Sequence, residues 1–146
     1  FSVLNKKTIR REQIFPKVIT TLETLKDRGF KLFVSSSAEP DDVNYAAQIT
    51  GLKDLFIEIL GSKGEFKKGK IHIAYIFEKY GIDIKDICVV GDEHADIKLS
   101  KEAGVRVVAK IGTLTKDELF EDYPNAIISD LSDLLDILAF KKSLAT

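Results

Sequence analysis

Methionine is absent from the 146 residues and cysteine occurs once, at Cys88. A translated chain ordinarily begins with methionine, so the expectation is that the natural start lies elsewhere: a few leading residues were removed, or a longer upstream segment precedes Phe1. The lone cysteine excludes an intramolecular disulfide and fits a reducing compartment. Set inside an apolar run, it reads as inert core. Charge of one sign is missing too. The 22 Lys and Arg balance 23 Asp and Glu to a net −1, so no global field favours nucleic acid or an anionic membrane surface. No apolar run reaches the roughly 18 residues of a membrane span, and no charged-then-apolar leader stretch occurs. These absences predict a cytoplasmic protein with neither nucleic acid nor membrane as a partner.

What is present is an alternation of helix and strand that fits one domain over residues 1–146. Pro16 opens a helix carrying Val18, Ile19, Leu22 and Leu25 on one face, with Gly29 as its stop. A strand is predicted from Phe30 to Ser35, a helix from Pro40 toward Gly51, and a strand from Phe56 to Leu60. After a polar loop from Gly61 to Gly69 come a helix over Ile71 to Tyr80, the strand Ile87 to Val90, and a helix from Ala95 to Ala103. Arg106 to Ala109 and Ala126 to Ile128 read as strands. Thr115 and Glu118 have capping-box spacing, and Leu131 to Phe140 form a closing amphipathic helix. Strands separated by helices must cross over, so the class is α/β: a doubly wound, mainly parallel sheet covered on both faces.

Three polar clusters fall at the carboxyl ends of these strands or in the loops beside them, where open α/β sheets bind ligands. In Gly91-Asp92-Glu93-His94-Ala95-Asp96, two aspartates emerge together behind a glycine that lets the backbone turn. Their oxygens suit a hard cation carrying a phosphate, unless Asp92 merely caps the next helix. In Ser35-Ser36-Ser37, a hydroxyl and the following N–H groups can hold a phosphate oxygen, or the serines are ordinary turn residues. In Lys67-Lys68-Gly69-Lys70, an ammonium group can neutralise phosphoryl charge, or the lysines are simply solvated. Jointly, acidic ligands, a cation and a hydroxyl make a coherent phosphoryl-transfer site. Glu93 and His94 have no role set by the spacing and read as solvent-facing, and His72, inside a helix, reads as structural.

These residues resemble the haloacid dehalogenase-like (HAD) hydrolase superfamily, and most closely its phosphoglycolate phosphatase-like branch, over about residues 13–139. Ile14-Phe15-Pro16-Lys17-Val18 with Leu22 to Lys26 is similar to the helix before the family's second motif. Lys31-Leu32-Phe33-Val34-Ser35-Ser36 resembles that motif, with Ser36 the better match and Ser35 the reserve. Lys68-Gly69-Lys70-Ile71 resembles the third, with Lys68 preferred over Lys70, and Gly91 to Asp96 followed by Ala103-Gly104 matches the fourth, GDxxxD. The resemblance implies a Mg²⁺-dependent phosphohydrolase acting through an aspartyl-phosphate on a small phosphomonoester. In it, Asp92 and Asp96 would serve the metal, Lys68 the nucleophile and phosphate, and Ser36 or Ser35 the phosphoryl group.

The family's first motif, DxDGT, which carries the nucleophile, is not in this chain. Its nearest counterpart would put Asn5 at the nucleophile and Lys7 near the acid/base; an amide is a poor nucleophile and a lysine there repels Mg²⁺. In the family sheet that first strand lies between the strands ending at Ser35 and Gly91, so its loss would split the sheet and expose two edges. Either Phe1 to Leu4 form a degenerate strand, or an upstream segment or a second chain fills the slot. Residues 1–12 can equally be the end of an upstream cap domain. The three intact motifs favour the upstream account, and this chain alone is expected to be inactive. The alternatives are a non-catalytic HAD-fold binding or regulatory module and, more remotely, a phosphoacceptor receiver domain.

Overall fold

The computed structural model describes residues 16–138. The readings of Phe1 to Leu4, Asn5 and Lys7, and the end of the last helix at Phe140, lie outside the described residues. Helix α1 (Pro16–Asp27) starts on its proline and buries Leu22 and Leu25 completely. Strand β1 (Phe33–Ser35) is shorter than the predicted Phe30 to Ser35; just before it, the Leu32 carbonyl accepts the Ile57 N–H as β2 (Glu58–Leu60) approaches. Between them lies α2 (Pro40–Ile49), with Asp41 and Asp42 in its first turn, where carboxylates suit the helix dipole.

Helix α3 (Lys70–Tyr80) and α4 (His94–Ala103) flank β3 (Cys88–Gly91) and stop at Gly81 and Gly104, as their sequences predict. Strand β4 (Arg106–Lys110) leads to the short α5 (Lys116–Phe120), which begins on the Thr115/Glu118 capping box, and then to β5 (Ala126–Ile128). The closing helix opens as a 3-10 turn over Leu131–Asp133 instead of as regular helix, with the Asp130 carboxylate accepting from the Ser132 N–H at 2.9 Å.

All strand pairings are parallel, and among the described residues they fall into two sheets, β1-β2 and β3-β4-β5. The side chains nevertheless behave as one layer. Val34 of β1, Val90 of β3, Val108 of β4 and Ile128 of β5 join Leu22, Leu25 and Leu134 in one apolar cluster. Phe33, Val89 and Val107, their neighbours in sequence, join Ile73 and Ile97 from α3 and α4 in the other. Alternation with period two has thus sorted each strand onto two faces, with helices on both.

Among the described residues, no strand pairs β1 with β3. The backbone groups of Leu32 and Ser36 are bonded to β2, through Ile57 N–H and the Leu60 carbonyl. By the two-residue period of a strand, those of Phe33 and Ser35 face away from β2. A tie at the far end of β2 holds α3 in place, where Glu58 accepts from the hydroxyls of Tyr75 and Tyr80 and from Lys79.

Candidate functional site

The turn from β3 into α4 is built around a close contact. A Cβ on Gly91 would stand 2.3 Å from the Cβ of Asp96 and 2.6 Å from its carboxyl carbon, so glycine is needed for space. Backbone freedom, the reason suggested by the sequence, does not apply, since Gly91 is not among the positive-φ glycines. Asp96, only 3 % exposed, accepts the N–H groups of Asp92 (3.0 Å) and Glu93 (3.1 Å) through one carboxylate oxygen. The entrance of α4 is therefore satisfied by Asp96 and not by Asp92.

Asp92 is left with a half-buried carboxylate whose pKa is pushed up, first by burial and then by the negative charges of Asp96 and Glu93. An added cation would relieve that repulsion, so the donor set fits a hard divalent ion. Among the described residues no three His, Cys, Asp or Glu side chains converge to cage one, so these residues offer part of a ligand set.

The other oxygen of Asp96 is paired with the ammonium of Lys68, 28 residues earlier in the chain. Both side chains are largely buried, at 16 % exposure for Lys68 and 4 % for Asp96. Lys68 is delivered by Gly69, whose φ of 113° lies where other residues are strained and whose missing side chain lets Leu99 approach. Lys70, the other candidate lysine, is exposed at the first residue of α3.

The serine cluster divides. Ser37 is exposed. Ser35 meets Nδ1 of the fully buried His72 at 2.7 Å, and the opposite ring nitrogen is 2.9 Å from the Gly61 carbonyl oxygen. Ser36 accepts the Ala38 N–H on its hydroxyl (3.1 Å) and the Ser62 hydroxyl on its carbonyl (2.7 Å); Ser62 in turn accepts the Lys68 N–H (3.1 Å). Ser62 thus clasps the serine and lysine clusters together. No pattern in the sequence marks it, because its two side-chain partners lie on different segments. His94 is paired with Asp122, which ties the motif turn to the segment before β5; this partner too has no local signal.

Ser35, Lys68 and Asp96 line one cavity of about 250 Å³, whose walls include Phe33 of β1 and Val89 of β3. It lies between the two sheets and is mainly apolar, with the Lys68–Asp96 pair among its polar groups.

A family model described as haloacid dehalogenase-like hydrolase matches residues 3–110. Phosphoglycolate phosphatase of Pasteurella multocida is 31 % identical over 128 residues, covering 86 % of this chain and 57 % of the relative. Pyrophosphatase PpaX of Bacillus pumilus is 30 % identical over 128 residues, covering 85 % of this chain and 59 % of the relative. Among solved structures, a predicted phosphoglycolate phosphatase from Haemophilus somnus superposes with a TM-score of 0.74 at 31 % identity, over 84 % of this chain and 56 % of that one. The HAD-hydrolase YfnB from Bacillus subtilis, bound to magnesium, shares the fold at a TM-score of 0.71 and 21 % identity, over 88 % of this chain and 58 % of that one. The chain thus spans somewhat more than half the length of these relatives. Its parallel α/β layer, its three strand-end clusters and the extent of the match agree, and the chain belongs to the haloacid dehalogenase-like hydrolase family, in the phosphoglycolate phosphatase-like branch.

Proposed function

We propose that this chain is the metal- and phosphate-holding part of a Mg²⁺-dependent phosphohydrolase that acts on a small phosphomonoester. The observation that carries the reading is the buried Lys68–Asp96 pair in the wall of the cavity between β1 and β3. A buried ion pair is costly to assemble and earns little stability in return, whereas a fixed ammonium beside a phosphoryl group stabilises its charge. The names of the phosphoglycolate phosphatase and pyrophosphatase relatives support the same chemistry.

In this reading each residue has a distinct task. Lys68, held by Asp96, draws the phosphoryl oxygens and offsets their charge. A hydroxyl from Ser36 or Ser35 binds the same group from the end of β1. Asp92 and Asp96 would hold Mg²⁺ through their oxygens, Asp96 with less freedom because its carboxylate is already occupied by Lys68 and two N–H groups. Bound there, Mg²⁺ would screen the charge of the phosphate and orient it. The nucleophilic aspartate is assigned to an apolar strand from an upstream segment or a second chain that fills the slot between β1 and β3. Asn5 and Lys7 cannot perform the covalent step.

The test is Mg²⁺-dependent hydrolysis of p-nitrophenyl phosphate. The 146-residue chain alone should show none, and the natural protein carrying the upstream coding sequence should turn over, with Asp92→Ala abolishing activity. Absence of turnover in the natural protein would instead support the non-catalytic module.

A further inference from the structure

We infer that the outer face of α3 is a docking surface for a second copy of this chain, packed antiparallel about a two-fold axis at Ala74. The phosphohydrolase chemistry makes no use of this face.

The pattern of exposure is the first support. Helix α3 buries His72, Ile73 and Ile76 against the protein, and a surface helix of this kind normally turns charge outward. The outer faces of α1 and α4 do so, exposing Lys17, Glu23 and Lys26 on one and Lys98, Lys101 and Glu102 on the other. On α3 the outward positions Ile71, Ala74 and Phe77 are apolar instead, at a three-residue spacing that sets them side by side on one face. Ile71 is 41 % exposed and Phe77 44 %. A helix that is apolar on both faces has a second surface to cover.

Charge points to what covers it. Lys70, the first residue of α3, is a cation at the positive end of the helix dipole, and Glu78, in the last turn, is an anion at the negative end. Each opposes its own helix. Lys79, also in the last turn, is engaged with Glu58. Positions 70 and 78, like 71 and 77, are equidistant from 74. In an antiparallel pair, Lys70 therefore meets Glu78 of the second copy and Ile71 meets Phe77. Each misplaced charge gains an opposite charge and the favourable end of the other helix. Ala74, on the axis, carries only a methyl group, so the helices can approach to about 8 Å, the near end of usual helix spacings. The contact is isologous, so every pairing occurs twice. Helix α2 also exposes apolar residues, Tyr45 and Ile49, but contains no basic residue, so α2 against α2 would add no ion pair.

The face is small, so the dimer belongs with transient contacts that bury less than about 1,200 Å² and forms at high concentration. The experiment is sedimentation velocity on the 146-residue chain over a concentration series. The mean mass should rise from 16.3 kDa toward twice that value. Ala74→Arg, which sets two cations on the axis, should hold the chain monomeric. Lys70→Glu and Glu78→Lys should each raise the dissociation constant about tenfold, because the symmetry applies each like-charge clash twice. The double variant should regain the parent's affinity, and an equimolar mixture of the two single variants should associate more tightly than either alone. Parallel packing would leave both single variants like the parent. All three positions are exposed, so the substitutions should not lower the urea midpoint. A chain that is monomeric at every concentration overturns the inference and leaves the face to another occupant. A dimer that survives Ala74→Arg, or that both charge reversals leave unchanged, overturns it equally.

Discussion

Lys68, in the turn before α3, and Asp96, in the first turn of α4, are joined by a buried ion pair across 28 residues of sequence. The same carboxylate accepts the two N–H groups at the entrance of α4, so one side chain closes a helix and holds a cation.

Removing the cation should leave that carboxylate uncompensated. Lys68→Ala is expected to lower stability by about 3 kcal/mol, the lower part of the range for halving a buried pair, because the N–H donors remain. Lys70→Ala, at an exposed position, should change stability by about 0.5 kcal/mol or less. Urea denaturation of the two variants reads the difference, and equal effects would remove the special standing of Lys68.

Gly91→Ala tests the close approach. With a Cβ 2.3 Å from that of Asp96, the turn must open, at a cost of roughly 2–3 kcal/mol. Because the displaced residue holds Lys68, phosphate affinity should fall with stability. A variant as stable as the parent would show that the turn yields more easily than its packing suggests.

Acid should destabilise the fold through His72. Its native pKa is depressed by burial, so below the unfolded value of about 6.5 the unfolded chain gains a proton that the native chain refuses. The stabilisation is complete above that pH and is lost as pH falls from about 6.5 toward the depressed native value. Denaturation midpoints for the parent and His72→Gln, compared from pH 8 to 5, should converge as the pH drops. A constant gap would mean that the ring is not buried neutral.

Amide exchange reports on the slot between the sheets. The Ser36 N–H is bonded to the Leu60 carbonyl and should exchange slowly, while the amides of Phe33 and Ser35, which face away from β2, should exchange faster in this chain. In a longer natural protein whose extra strand fills the slot, Phe33 and Ser35 should become protected. Equal protection in both would argue against strand insertion.

Much of this architecture was legible in the residues. Ala126 to Ile128 is a strand with the bounds read from the sequence, and the Thr115/Glu118 box caps α5, because apolar period and capping are local properties. Two boundaries differ from the sequence reading. β1 begins at Phe33 instead of Phe30, and the last helix opens as a 3-10 turn. Within the candidate site, residue types were readable but their bonds were not. Ser62 carries no local signal and His72 reads only as structural, since the partners of each lie on other segments.

By itself the sequence determined the α/β class, the strand-end clusters and the family, since each rests on the order and spacing of residue types along the chain. The tertiary structure decided which carboxylate closes α4, which lysine enters the cavity and which serine meets His72. Those outcomes depend on which donors and acceptors meet in space, and buried groups that must all be satisfied leave few ways for them to meet.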